Sequence, residues 1–492
     1  MTNLKKQTTG NIKAPELAAR KLTELLEAMG VAPAETGGTI TITGEDPFVA
    51  SPHRMGTTTA VALSAIGALT AAIWKMRTGR GQDISVDARA ALHALHGPKF
   101  YKVGGHSMDT GFLDNPLCDF QRCGDSRWLW VTGSYPPLLA GLTVALGCDM
   151  GRYSVERAFQ KCTDAEELET MLNAHGLPAT MARTYEEWLA HPQGALLHRT
   201  PVVEIIKIAD SAPEPFGPAE RPLSGIRVFD NTHVAAGPLM AQTLAAQGAD
   251  VLHVSPSFND DYKGMNVCCN AGKRLTYLNL QQSEDYKTAW KLLEDADVYL
   301  STYQPGSLEK KFGLSPHEIA QHRPGIIVAQ ARCYGFDGPF AMRPGFEQNG
   351  QVVAGIATAQ GSVDSPRLVP DYFLNDWTMG YLGAAGIQAA MIRRAKEGGS
   401  YHVRLSLART SMWVQEFGRI APIPRDLPLT DPGPAKTVTM QSPWGEVEVV
   451  APVVQYSETK AYWELPPAPF GSHKPEWAAP KEVLKDKKSP KK

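Results

Sequence analysis

Beyond residue 222 the chain alternates short apolar runs with helix-length segments, and this alternation restricts the possible fold more than any other feature. Ile226–Asp230, Val251–Val254, Asp297–Thr302 and Ile326–Ala331 read as strands. Between them, Gly237–Gln247 reads as a helix, with Pro238 in its first turn and Gly248 closing it; Asp285–Asp295 reads as another. Strands that alternate with helices at this spacing must run mostly parallel, because each connection has to cross over the sheet. The expectation is an α/β fold, with a Rossmann-like parallel-sheet large domain plus a smaller α+β domain.

The first 210 residues have a different pattern. Pro15–Gly30 is a short amphipathic helix, Thr39–Gly44 a strand, and Thr57–Met76 a long Ala-rich helix stopped by the glycines of Thr78–Gln82. Asp83–Arg89 alternates as a strand, Asp119–Gly133 holds a short β segment, and Asp164–His175 and Tyr185–Ala190 are helices, the latter entered from Thr184 as N-cap. A polar, proline-rich linker follows at 211–222, then a second half over 223–480 and a Lys-rich tail over 481–492. The two halves echo each other. Gly383–Ala408 resembles Ala65–Ala90, each with an Ala/Gly-rich helix, basic residues, a glycine turn and an alternating strand. Aligning them sets Asp376 opposite Thr58.

Composition removes several function classes. There are 49 basic and 51 acidic side chains, so no basic footprint for a nucleic acid dominates. The seven cysteines form no CxxC pair, and neither a disulfide framework nor a metal site is read from them. The N-terminus lacks the apolar run of a secretory signal, and the longest apolar stretch, Ala60–Trp74, is short for a bilayer. A cytoplasmic protein without a membrane partner is expected.

Candidate chemistry gathers in the second half. The first βα junction, Phe229–Pro238, contains His233, Val234 and Ala235 and ends at a helix N-terminus, where an α/β sheet favours anionic groups. It is not GxGxxG, so a nicotinamide dinucleotide is not supported. Lys273 and Arg274 follow a glycine turn in Asn270–Arg274 and read either as phosphate contacts or as a surface basic pair. The loop Tyr303–Gly313 adds Lys310 and Lys311. Two carboxylates stand out, Glu347 in Arg343–Gln348 and Asp376 before a Gly/Ala-rich helix. Spacing alone favours Asp376 as the N-cap of that helix over a catalytic carboxylate.

Taken in order, RPLSGIRVFDNTHVAAGPLMAQTLAAQGADVLHV, GKRLTYLNL, ADVYLSTYQPGSLEK, RPGIIVAQARCYGFDGPFAMRPGFE and NDWTMGYLGAAGIQAAM resemble the class III CoA-transferase superfamily, which includes formyl-CoA and carnitine CoA-transferases and α-methylacyl-CoA racemases. The first half resembles the family's later portion, its central helix and small domain, so the order looks fused and permuted. The resemblance implies an enzyme that moves CoA between an acyl-CoA thioester and a carboxylic acid through an aspartyl-CoA intermediate. It implies Asp376 as nucleophile, Glu347 beside it, and CoA contacts from His233, Val234, Ala235, Lys273, Arg274 and Lys310. Helix N–H groups beside Asp376 would face the developing oxyanion. Coenzyme A and its esters would be substrates, with no permanently bound cofactor, and the family's interlocked pairing implies a homodimer. Racemases of the superfamily carry His where this chain has Phe346, and Phe cannot shuttle protons. Racemisation and non-catalytic CoA-ester binding stand as the alternatives. Thr58 in the first copy implies one active site per chain.

Overall fold

The computed structural model describes residues 14–107, 115–258, 263–370, 372–430 and 433–479. The Lys-rich tail read over 481–492 lies outside the described residues. At the centre is a seven-stranded sheet in the order Lys273–Tyr277, Asp250–Ser255, Arg227–Asn231, Val298–Ser301, Ile327–Arg332, Ser400–Ser406 and Glu204–Ala209. The first six run parallel, and numbered along the chain they stand 3-2-1-4-5-6, the order of a doubly wound α/β sheet. Helices cover both faces, so the central strands are buried throughout: Val298–Ser301 has no exposed position, and Ile327–Arg332 is buried up to its last residue. The four strands read from the sequence lie where their apolar runs place them, shifted by about a residue.

Two strands of this sheet escaped the reading. Lys273–Tyr277 pairs in parallel with Val251–Ser255 and forms one edge, so Lys273 and Arg274 belong to a strand and not to a loop. Glu204–Ala209 pairs antiparallel with the last parallel strand and forms the other edge, although it precedes the linker in sequence.

The repeat is physical. Met55–Thr78 and Leu374–Glu397 are both helices of 24 residues, and they pack on each other. Thr70 Oγ1 donates to Gln388 Oε1 at 3.0 Å, across the 318-residue offset that aligns the two copies. Equivalent positions that touch lie beside a local two-fold axis. The strands repeat as well. Ile40–Thr43 runs parallel to Ile84–Asp87, which pairs antiparallel with Gln455–Tyr456 near the chain's end. That trio matches Ile327–Arg332, Ser400–Ser406 and Glu204–Ala209, and in each trio the outer strand comes from the other half of the chain.

The first long helix, at 24 residues, has the length and apolar character to cross a membrane, yet Met55–Trp74 is buried inside the protein, against the second long helix and their neighbours. Gly79 ends it in the left-handed conformation, φ 75°, as the glycine stop requires. A smaller α+β unit carries the three-stranded sheet Phe120–Arg122, Trp128–Val131 and Ala179–Met181, with its own core around Leu129, Phe159 and Leu172. Thr184 caps its helix with a reciprocal Glu187 bond.

Candidate active site

Strand order reverses between Arg227–Asn231 and Val298–Ser301, and a doubly wound sheet opens its crevice at such a point, beyond the carboxyl ends of the strands. A cavity open to solvent, with about 780 Å³ of empty space counting its mouth, lies there. Its walls are His233–Gly237 after the first strand, Thr302–Pro305 after the fourth, Ala331–Cys333 after the fifth, Arg343–Phe346, and Asp376 with Met379 from the second long helix.

Asp376 is the third residue of that helix and 8% exposed. Among the described residues nothing donates to its carboxylate and no cation pairs with it. The N-cap reading fails because another residue does the capping. Glu347, from the helix Glu347–Val353, accepts the Asp376 N–H on Oε2 at 2.5 Å and the Asn375 N–H on Oε1 at 2.9 Å, with Gln351 Nε2 on Oε1 at 2.7 Å. Glu347 thus satisfies two of the N–H groups that a helix start leaves open. The same bonds overturn the expectation that these two N–H groups face an oxyanion, since both are committed to Glu347.

Burial holds the Asp376 carboxyl well above the usual carboxylate range, and the neighbouring Glu347 charge adds to the effect. Burial also pushes Glu347 up to about 7, against the opposing pull of its hydrogen bonds. A carboxylate attacks only when ionised, so an activity that uses Asp376 in that way should fall as pH drops through this raised value. Glu347→Gln removes the facing charge and should move the acid limb of the kcat/KM–pH profile to lower pH. A limb that stays put, or moves upward, would contradict the coupling.

The first half braces this helix start. Leu95 O accepts the Phe373 N–H at 3.1 Å, and the Phe373 ring lies 5.0 Å from that of Trp377. Gly97 has no room for a side chain, because a Cβ there would come within 2.4 Å of the Trp377 indole. The smaller α+β unit closes the other side. Tyr135 stacks on Phe346 at 5.8 Å, Thr132 Oγ1 donates to Asn349 Oδ1 at 3.1 Å, and Asn349 Nδ2 donates to Thr180 Oγ1 at 2.9 Å. No local motif announced these partners, which stand far from Phe346 and Asn349 in sequence.

The other expected site residues divide. His233, Val234 and Ala235 all line the cavity. His233 stacks on Tyr303 at 4.4 Å and its N–H reaches Thr302 Oγ1 at 3.2 Å. Val234 has φ 67°, a conformation costly for a β-branched residue and one that collects at functional loops. Lys310 is exposed beside the cavity rim, its methylene chain packed near Gly306. Lys273 and Arg274 are corrections. They open their strand and so begin at its amino end, whereas the cavity lies beyond the carboxyl ends. Lys273 is fully buried, its ammonium 2.8 Å from Asp230, and Arg274 pairs with Asp250.

The first copy keeps the cap and has Thr58 where the second has Asp376. Asp46 accepts the N–H groups of Gly56 and Thr57 at 3.2 and 2.7 Å, as Glu347 does for the second copy. Thr58 is buried and bonds Arg54 O at 2.7 Å.

The family model "CoA-transferase family III" matches residues 26–212 and again 223–422. The chain belongs to CoA-transferase family III. It is 30% identical over 410 residues to an acyl-CoA transferase of Gibberella moniliformis, covering 75% of this chain and 72% of that protein. It is 30% identical over 268 residues to acetyl-coenzyme A transferase nodX of Hypoxylon pulicicidum, covering 51% of this chain and 45% of that one. It therefore spans most of the first relative and less than half of the second. A crystal structure of Rv3272 from Mycobacterium tuberculosis aligns with TM-score 0.38 and 28% identity over 40% of this chain and 58% of that one. Family membership makes this chain a CoA-transferase in the general sense, with CoA esters as the substrates of the family.

Proposed function

We propose that the protein transfers CoA from an acyl-CoA thioester to a carboxylic acid through a covalent aspartyl-CoA at Asp376. The observation that carries this reading is a buried carboxylate without a partner among the described residues, opening into the switch-point cavity while Glu347 takes over the capping. The Asp376 carboxylate attacks the thioester carbonyl, forming a mixed anhydride and releasing CoA thiolate. The thiolate attacks the aspartyl carbonyl, forming aspartyl-CoA and freeing the donor carboxylate. An acceptor carboxylate then attacks the aspartyl thioester, and the expelled thiolate takes the new acyl group and returns Asp376. Each anhydride keeps its acyl group activated, which is the benefit of a carboxylate nucleophile. His233, Val234 and Ala235 contact CoA across the cavity, and Lys310 meets one of its phosphates.

Phe346 lines the cavity against Tyr135, where racemisation would need a proton-shuttling side chain. Each half of the chain donates a strand to the other, and the first half braces the elements that carry the second half's site. On this reading one chain holds one site. After incubation with an acyl-CoA and rapid acid quench, the peptide bearing Asp376 should gain the mass of a CoA thioester. Full turnover with that peptide unmodified at every quench time would sink the covalent role.

A further inference from the structure

The wall of the cavity beside Asp376 is apolar. Ala331, Cys333, Phe346, Met379 and Leu407 line it, and all but Phe346 are buried. Met379 lies one helical turn beyond Asp376, on the same face. Two arginines also reach the lining, and both are engaged away from Asp376. Arg332 stands 3.7 Å from Glu309 and over the Phe336 ring at 4.4 Å. Arg343 pairs with Glu169 of the smaller unit at 3.2 Å, bonds Thr170, and lies over the Phe340 ring at 3.5 Å. The remaining basic lining group, His233, is across the cavity on the switch-point loop, stacked on Tyr303.

The reacting end therefore holds the Asp376 carboxylate, with the buried Glu347 carboxylate behind it, and among the described residues no cation is directed at another. A substituent carrying its own charge would leave water for an apolar wall and face like charges, and both effects oppose it. The reacting carboxylate of an acceptor escapes the penalty, because Asp376 is then esterified and neutral. From this geometry we infer that the site selects acyl groups with uncharged, apolar substituents, monocarboxylic rather than dicarboxylic. The inference rests on the CoA-transfer reading and narrows its substrate class.

Two unreactive thioethers test it on the unmodified protein by calorimetry. S-butyl-CoA and S-(3-carboxypropyl)-CoA differ only in a terminal methyl against a carboxylate. The butyl compound should bind about tenfold tighter or more, the lower end expected for an unpaired buried charge. In Phe346→Arg, which sets a cation in this wall, the ratio should shrink. Equal affinity for the two thioethers, or tighter binding of the carboxylate, overturns the selectivity and leaves CoA transfer intact. Binding of neither overturns the CoA-ester reading and the selectivity with it.

Discussion

Asp376→Asn is expected to lower CoA transfer by at least about 10³-fold while the protein stays folded and still binds acyl-CoA. The amide has the size of the carboxylate and cannot attack a thioester, so the covalent route closes at its first step. Folding should survive because the native carboxylate contributes no hydrogen bond or ion pair among the described residues. The exchange also removes a buried charge beside Glu347, which relieves the repulsion that holds both carboxyls above their usual range. Steady-state kinetics, a thermal melt and a CoA-ester titration together make the check. A variant that keeps more than a tenth of the wild-type kcat would exclude Asp376 as nucleophile. A variant that loses activity only by unfolding would show that the carboxylate is structural, the role a helix cap would have given it.

Much of the frame was legible because sheet burial writes itself locally. Val228, Phe229, Val298, Leu300 and Ile327 are apolar since both faces of their strands are covered, and short apolar runs betray that at once. Glu204–Ala209 was missed for the opposite reason: an edge strand is half exposed, and its mixed pattern carries no clear period. The repeat was visible as similarity between two Ala-rich helices, and the Thr70–Gln388 contact gives that similarity a geometric meaning. At the site, Asp376 and Glu347 were named from the order of motifs, but spacing could not tell a cap from a nucleophile. That choice depends on a bond between residues 29 apart, in two different helices. Tyr135 carried no signal at all, because its partner Phe346 lies in the other half of the chain.

Lys273 shows how a local reading goes astray, and it yields the second large effect. Gly272, at φ 82°, looks like the turn of a phosphate loop, and two cations after it suggest an anion site. Burial of the lysine is decided by Asp230, 43 residues earlier and itself fully buried. Removing the ammonium alone strands that carboxylate in the interior, so Lys273→Met should cost about 3–5 kcal/mol of stability. The Asp230→Asn, Lys273→Met double variant should recover most of the loss, since no uncompensated charge then remains. Thr232 donates to Asp230, and its carbonyl lies 2.9 Å from His253 Nε2, so this buried cluster also anchors the turn that presents His233 and Val234 to the cavity. The folded fraction of the single variant should therefore show a raised KM for the CoA ester with a smaller change in kcat. A CoA-phosphate contact predicts a different signature: weakened CoA binding, a nearly unchanged melting temperature, and no rescue by Asp230→Asn. Chemical denaturation of the three proteins separates the two roles, because only a buried ion pair makes the second substitution restore what the first removed.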